Sequence, residues 1–260
     1  MAIIPKFFFD TVVAIGIKIN ENIKWIGTGF LVGRKENDNE RYTIYIITNY
    51  HVVENKNKIV IRFNKENLAD YRDYEIELFD KDTANFSKHD NADIIAIQIS
   101  PHVLNNDHSE YSWFSLDKHA LTVSQMKETD VIEGCLVYSL GFPINMIGEH
   151  RKNPICRLGC ISRISDLFNS DNNEFLIDLQ AIPGNSGAPV INRPEETCIQ
   201  GTTHNTSSNL IGIISGTIDY SEISDIEPIK EYEKNSGIAT VHTVDAIIEV
   251  VEKEYQRGRD

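Results

Sequence analysis

The sequence predicts an all-β protein built from antiparallel barrels or sandwiches, and two observations support this fold class. Short runs of β-branched and aromatic residues recur along most of the 260 residues, separated by clusters of Asn, Asp, Gly and Lys. Helical periodicity is nearly absent between these runs, which argues against an alternating parallel-sheet fold. A chain of this length can bury a sizeable core without the help of disulfides.

Twelve runs are predicted as strands, six in each half of the chain. They cover residues 11–19, 25–32, 42–48, 58–63, 74–79 and 93–99, and then 135–140, 157–162, 175–179, 189–192, 211–215 and 237–241. Residues 119–129 lack strand patterning and carry mixed polar side chains, so the join between the halves is predicted there. We therefore expect a first domain over residues 1–122 and a second over residues 123–241.

One helix is predicted, within residues 242–260. Thr243 suits its N-cap, because a threonine hydroxyl accepts from the amides that the first turn leaves unbonded. The apolar stripe of a helix that packs against a core is formed by Val244, Ile247, Ile248, Val251 and Tyr255. We expect this helix to follow the second of the two domains.

Composition excludes several classes of partner. The chain has 25 Lys and Arg against 39 Asp and Glu, a formal net charge of −14, which disfavours binding to nucleic acid or to anionic membranes. No run approaches the ~20 apolar residues of a membrane span. Asp10 interrupts the run Phe7-Phe8-Phe9, so a secretory signal is not expected.

The cysteines are too few for a disulfide framework, so a reducing, cytoplasmic setting is expected. They are Cys135, Cys156, Cys160 and Cys198. Cys156 and Cys160 have the spacing of half a metal site, but no second pair of ligands accompanies them. We predict free cysteines in or near a strand and no metal site.

The segment PGNSGAPV at residues 183–190 places Ser186 in a turn that leads into a strand. Gly184 allows the backbone to turn sharply. The amides of Gly184 and Ser186 could then point to one spot, where two donors would hold the oxyanion of a tetrahedral intermediate. A Gly-x-Ser-Gly segment is also commonly a tight turn without chemistry, so this motif alone leaves the function open.

A serine nucleophile needs a base, and the base needs an orienting carboxylate. His51 follows the apolar run 44–47 and a short polar turn, at a rigid strand end, although a structural histidine is the alternative. The other seven histidines, such as His89 and His119, are expected at the surface. Asp93 opens the apolar run 94–97 and is preferred over Asp90, which lies in a polar run where a solvated role is expected.

Five sequence blocks then occur in order. They are GTGFLV at 27–32, TNYHVV at 48–53, ADIIAI at 92–97, GFP at 141–143 and GNSGAP at 184–189. With these blocks the chain resembles the trypsin-like serine peptidases, and their wording is most similar to the bacterial high-temperature-requirement (HtrA-type) branch without a PDZ domain. The resemblance covers about residues 11 to 241, nearly the whole chain.

The resemblance implies a chymotrypsin-like fold of two six-stranded antiparallel β-barrels with the active site in the cleft between them. The independent count of six and six strands agrees with it. It also implies that Ser186 is the nucleophile, His51 the general base and Asp93 the orienting carboxylate. The amides of Gly184 and Ser186 would form the oxyanion hole.

The specificity pocket follows from the same resemblance. Gln180 would lie at its floor, and Ser215, Gly216 and Thr217 would line it on the strand that pairs with substrate. The amide of Gln180 would favour polar or small side chains, unless it turns into another hydrogen bond.

Two residues depart from the family pattern. Asn185 replaces the aspartate that pairs with a newly cut N-terminus in digestive members, so activation by N-terminal cleavage is not expected. Ala188 replaces a glycine at a strand start, where a small side chain is tolerated.

We therefore expect a cytoplasmic serine endopeptidase that needs no metal or cofactor and acts on protein or peptide substrates. The alternatives are a non-cleaving regulatory or binding module on the same fold and another serine hydrolase, such as an esterase. Neither nucleic acid nor membrane is an expected partner. A cytosolic protease needs restraint, so we expect a regulatory protein partner, or ordering of the loops at 162–173 and 194–208, to gate it.

Overall fold

Strands dominate the computed structural model, which describes residues 4–36, 40–66, 70–81, 83–148, 150–170, 172–195, 200–201, 205–223 and 231–259. The elements of the first half are α1 (Phe7–Thr11), β1 (Val12–Ile19), β2 (Asn22–Lys35), β3 (Tyr42–Thr48), α2 (Tyr50–Val53), β4 (Lys58–Lys65), β5 (Tyr71–Glu77), β6 (Phe79–Asp80), β7 (Thr83–Ala84), β8 (Ser87–Lys88), β9 (Ile95–Ile99), α3 (Pro101–Asn106), β10 (Ser109–Glu110) and β11 (Phe114–Ser115).

The remaining elements follow in the second half. They are α4 (Leu116–His119), α5 (Val123–Glu128), β12 (Leu136–Gly141), a 3₁₀ turn (Pro143–Asn145), β13 (Ile155–Arg163), a second 3₁₀ turn (Leu167–Asn169), β14 (Glu174–Asp178), β15 (Pro189–Asn192), β16 (Leu210–Ile223), β17 (Glu231–Thr243) and α6 (Val244–Arg257).

The second half closes into a six-stranded antiparallel barrel, in the order β12-β13-β14-β17-β16-β15. All six strands predicted for this half are present. β16 and β17 extend well beyond their predicted ends as a long hairpin. The sequence does not predict this extension, because its residues are largely polar and carry no strand-like hydrophobic pattern. The predicted barrel of this half is confirmed.

The first half forms a nine-stranded sheet in the order β10-β4-β1-β2-β3-β9-β8, with β11 beside β2 and β5 beside β4. The six predicted strands correspond to β1–β5 and β9, and the two-residue strands are additions too short to show a hydrophobic pattern. Pairings among the described residues do not close this sheet into a ring. Its strands share one core that includes Val13, Leu31, Ile46, Ile61 and Ile97, as the strands of a barrel do.

Alternate residues of β1, β2 and β3 face two different cores, which explains their uninterrupted apolar runs. Ile15 and Ile46 face the core of the first half. Val12 and Ile47 face a second core, shared with Ile213 of the other barrel and with α6. This shared core fixes the two halves against each other, so that residues from both can build one site.

The helix α6 is confirmed with its predicted N-cap. The Thr243 side chain accepts a hydrogen bond from the Ala246 amide, and Ile247 and Val251 are fully buried in the shared core. Near its end, fully buried Glu254 accepts from Ser87 Oγ (2.7 Å) and from the guanidinium of Arg257. The helix thus packs on both halves.

Three features bear on the sequence expectations for cysteines, metals and membranes. Cys135, Cys156 and Cys160 are free thiols, and Cys198 lies outside the described residues. The part of the chain that the structure describes holds no group of three or more His, Cys, Asp and Glu suited to a metal ion. No helix within the described ranges is long and apolar enough to cross a membrane.

Candidate active site

The turn that carries Ser186 is held against β2 of the first half. The Thr28 amide donates to the Ser186 carbonyl (3.0 Å), and the Thr28 hydroxyl donates to the Gly184 carbonyl (2.7 Å). The same hydroxyl accepts from the Phe142 amide (3.1 Å). Because Thr28 is fully buried, water does not compete for these bonds, and they hold the turn against β2.

Gly187 makes this close approach sterically feasible. Its φ is 84°, in the left-handed region that favours glycine, and a Cβ there would lie 2.0 Å from the Thr28 carbonyl oxygen and 2.6 Å from Thr48 Oγ1. Any other residue would therefore push the Ser186 turn away from β2 and β3.

His51 approaches the same place from the first half. It lies on the single-turn helix α2, directly after β3. A Cβ on Gly27 would lie 2.7 Å from Val52 Cγ1 and 3.5 Å from the Ser186 carbonyl oxygen. The helix that carries His51 and the turn that carries Ser186 therefore meet over Gly27, in the first of the five sequence blocks.

Asp93 contacts His51 through both carboxylate oxygens. His51 Nδ1 contacts Asp93 Oδ2 directly, and the His51 amide donates to Asp93 Oδ1 (3.1 Å). Burial alone would raise the pKa of the Asp93 carboxyl, but the hydrogen bonds and the charge of His51 outweigh burial and lower it. Asp93 lies in a turn just before β9, not inside the strand predicted from residue 93, because the Ile94 amide bonds to the carbonyl of Ala92 (2.8 Å).

Asp90, the other carboxylate considered for this role, points elsewhere. Its side chain is 81% exposed and pairs with Lys253 of α6 (2.5 Å).

The Ser186 hydroxyl has no hydrogen-bond partner among the described residues. Bonds between nucleophile and base are often long without substrate and tighten when it binds.

The amide of Gly184 is free to bind a ligand. The Ile144 amide donates to the Pro183 carbonyl (2.7 Å), and in a trans peptide the N–H points opposite to the C=O. The Gly184 N–H therefore points away from Ile144, and it meets no acceptor within the described part of the chain. The backbone of Ile144 is in the left-handed conformation (φ 51°), which is strained for a β-branched residue.

The direction of the Ser186 amide follows from the same reasoning. The Ala188 amide donates to the Asn185 carbonyl (2.9 Å), so the Ser186 N–H points in the opposite direction. It too has no acceptor among the residues described. Two unpaired N–H donors on one turn are what a developing oxyanion requires.

A cleft of about 390 Å³ opens beside Ser186. Gly216 and Thr217, two of the residues expected to line a specificity pocket, do line it. Ser215 instead hydrogen bonds through Oγ to Thr240 Oγ1 (2.9 Å). Gln180 is exposed and lies outside the lining, where its carbonyl accepts from Arg157.

Two lining residues have no signal in the sequence pattern, Asp219 and Asn235. Both lie on the extension of the β16–β17 hairpin, where they pair across the strands after an irregularity in register. Asp219 is exposed to the cleft and accepts from Thr217 Oγ1 (3.0 Å). Asn235 donates from Nδ2 to the Ala181 carbonyl.

The expectation that every histidine other than His51 lies at the surface is wrong for three of them. His89 and His242 are buried, and His119 is half-buried against the rings of Phe7 and Phe8. His242 lies near the end of β17, between Val241 and Thr243. Each of these rings finds a backbone amide that it can accept from.

One of the two loops expected to gate the site is anchored in this structure. Glu133 accepts from the amides of Ile164 (2.8 Å) and Ser165 (2.7 Å) and from the Ser165 hydroxyl (2.8 Å). Desolvation would raise the pKa of Glu133, but these donors outweigh it and lower the pKa to about 2. The other loop, at 194–208, falls partly outside the described residues.

Comparison with known proteins gives a family match and a shared fold. Residues 27–199 match the family model described as "Trypsin-like peptidase domain". No curated protein matches the chain. The apo crystal structure of the MamO protease domain from Magnetospirillum magneticum is 14% identical, with a TM-score of 0.49, covering 94% of this chain and 97% of that one.

A second solved structure, "HtrA-type protease AlgW with decapeptide", is 13% identical with a TM-score of 0.51. The match covers 97% of this chain and 66% of that one. At this level of identity the likeness shows the fold.

Proposed function

Because this chain belongs to the trypsin-like peptidase family, we propose that it is a serine endopeptidase that hydrolyses peptide bonds through an acyl-enzyme on Ser186. The observation that supports this most is the meeting of two segments over Gly27. One segment carries His51, which is hydrogen-bonded to Asp93. The other carries Ser186 and the amides of Gly184 and Ser186, which have no acceptor among the described residues.

The reaction proceeds in two halves. His51 Nε2 takes the proton of the Ser186 hydroxyl as the oxygen attacks the scissile carbonyl carbon, and the amides of Gly184 and Ser186 hold the resulting oxyanion. His51 then gives the proton to the leaving amine, and the C–N bond breaks to leave an ester on Ser186. A water molecule, deprotonated by His51, attacks this ester, and the proton returns to Ser186 as the acid product leaves.

In this cycle Asp93 fixes the tautomer of His51 and balances its charge. Its contact with His51 Nδ1 fixes the tautomer in which Nε2 is the free base. The lowered pKa of Asp93 keeps the carboxylate ionised at neutral pH, so it balances the positive charge that His51 acquires in each half.

The cleft indicates a class of substrate. Asp219 is the only charged side chain among the described residues that line it. A carboxylate there attracts a cationic group, so we expect cleavage after Lys or Arg. The formal net charge of −14 would steer basic substrates in the same direction.

The test compares peptide and ester turnover. The purified chain is given fluorogenic peptides that differ only in the residue before the scissile bond, together with an activated ester, beside Ser186→Ala and His51→Ala. Peptide cleavage that both variants lose supports an endopeptidase. Turnover of the ester alone would make the chain an esterase, and a folded chain that turns over neither would be a binding module.

Substrate class is tested with Asp219→Asn. The substitution should lower kcat/KM for Lys and Arg substrates by roughly tenfold, since it removes a charge-assisted contact, and should leave Leu and Ala substrates unchanged. An equal effect on all substrates would contradict the proposed contact.

A further inference from the structure

We propose that His242 is a positioning residue that holds Asp93 in place for His51 by accepting a hydrogen bond from the Asp93 backbone amide. The inference rests on the proposed function, in which Asp93 orients His51. His242 does not touch the reacting atoms. It acts through Asp93, from the opposite barrel.

The backbone of Asp93 is held on both sides by buried side chains. The Asp93 amide donates to His242 Nε2 (3.0 Å), and the Asp93 carbonyl accepts from Asn49 Nδ2 (2.8 Å). Asn49 is fully buried and His242 is 4% exposed. Asn49 directly precedes α2 in the first half, and His242 lies on β17 in the second half, so both halves of the molecule hold the backbone of Asp93. We call this pair of hydrogen bonds the clamp.

This clamp requires one protonation state of His242. Nε2 accepts from the Asp93 amide and therefore carries no proton, so the proton of the neutral ring lies on Nδ1. Nδ1 lies 3.3 Å from Glu174 Oε1, the residue paired with His242 across β14 and β17. The angles are poor, and Nδ1 makes no hydrogen bond with good geometry to any of the described residues.

A packing role alone does not account for an imidazole here. Valine or phenylalanine would fill a position inside a strand without placing a polar atom in the core, whereas a partly unsatisfied buried nitrogen is unfavourable. The ring contributes an acceptor aimed at one backbone N–H, and that N–H belongs to Asp93.

Charged and polar groups face His242 from several elements. They are Asp93 and His89 before β9, Glu174 on β14 and the Asn173 carbonyl beside it. Burial lowers the pKa of His242, although the negative charges of Glu174 and Asp93 oppose this shift. The ring is therefore neutral at neutral pH. Protonation at low pH would turn Nε2 into a donor facing another donor, and the clamp would open.

Two substitutions at His242 separate positioning from packing. His242→Phe keeps a ring of similar size and removes the acceptor. His242→Gln places an amide oxygen near the position of Nε2 and cannot be protonated in this range. The matched control is His119, which also accepts from a backbone amide, that of Ser115 (3.0 Å), and does not contact Asp93.

The first readout is peptide turnover as a function of pH. His242→Phe should lower kcat by about ten- to hundredfold with little change in KM, since only the orientation of the base is affected. His242→Gln should recover most of this loss. At low pH, the fall in kcat of His242→Gln should involve one protonation fewer than the fall in kcat of the parent chain. His119→Phe and His119→Gln should leave kcat unchanged.

The second readout does not depend on turnover. The proton between His51 Nδ1 and Asp93 should give a downfield resonance in proton NMR spectra. It should broaden or move in His242→Phe and persist in His242→Gln. A folded His242→Phe with unchanged kcat and an unchanged resonance would overturn the inference.

Failure of the proposed function would look different. The parent chain would then cleave no peptide while the resonance still responded to His242→Phe. If His242→Phe does not fold, His242→Gln still decides the matter, because a loss of both kcat and the resonance in that variant would contradict the clamp.

Discussion

Replacing Thr28 by valine removes one hydroxyl and keeps the volume of the side chain. That hydroxyl donates to the Gly184 carbonyl (2.7 Å) and accepts from the Phe142 amide (3.1 Å), and both partners are buried. Thr28→Val therefore leaves two buried polar groups without a partner. It tests whether Thr28 fixes the turn that carries Ser186.

The magnitude follows from those two bonds. Each buried group that loses its partner costs about 1–3 kcal/mol, so the free energy of unfolding should fall by ~2–4 kcal/mol after some relaxation of the turn. For a domain of this size the melting temperature drops roughly 2–4 °C per kcal/mol. Labelling of Ser186 by a fluorophosphonate should also slow, because the Gly184 peptide is no longer held.

Urea unfolding followed by tryptophan fluorescence measures the stability, and intact mass against time measures the labelling. Thr28→Ser is the matched control, since it keeps the hydroxyl and loses one buried methyl group worth about 0.8 kcal/mol. A Thr28→Val chain as stable as Thr28→Ser would refute the reasoning.

Three further predictions concern backbone, loop and helix. Gly187→Ala should unfold the site or lower the free energy of unfolding by more than about 3 kcal/mol, because the new Cβ would lie 2.0 Å from a carbonyl oxygen. Gly201 has a similar φ and open space around it, so Gly201→Ala should lower the free energy of unfolding by only about 1 kcal/mol, as measured by urea unfolding. Glu133→Gln should speed amide hydrogen exchange at residues 164 and 165. In the parent chain the protection of these two amides should fall as pH drops from 4.5, the ordinary pKa of a glutamate, towards about 2. A lowered pKa gives stability that is lost on protonation. Protection that stays constant over this pH range would contradict the prediction. Glu254→Ala should cost about 2–4 kcal/mol by thermal unfolding, because it removes a buried carboxylate that accepts from buried Ser87 and from the partly exposed Arg257. Glu252→Ala, at a partly exposed ion pair, should cost under about 1 kcal/mol. Equal costs would argue against a stabilising role for buried Glu254.

The sequence predicts the fold well where one residue pattern determines one element. Runs such as 44–47 are apolar on both faces and form strands between two cores. Thr243 and the stripe after it define α6. The two-residue strands β8, β10 and β11 could not be predicted, because they exist only where neighbouring strands offer hydrogen bonds.

The candidate site divides in the same way. Motif order identifies His51, Asp93 and Ser186 as candidates, and the structure places His51 against Asp93. Motif order does not reveal that Thr28 and Ile144 orient the peptides around Gly184, since these contacts join residues far apart in the chain. The orientation of side chains at the cleft likewise depends on the register of the β16–β17 hairpin, which no local pattern specifies.

The central claim is that Ser186 is an activated nucleophile. The most direct test is intact mass spectrometry of the purified chain after treatment with a fluorophosphonate, beside folded Ser186→Ala and His51→Ala chains. The account predicts a single adduct on the parent chain that both variants lack. A folded parent chain that gains no adduct, or an adduct that persists in Ser186→Ala, would contradict it.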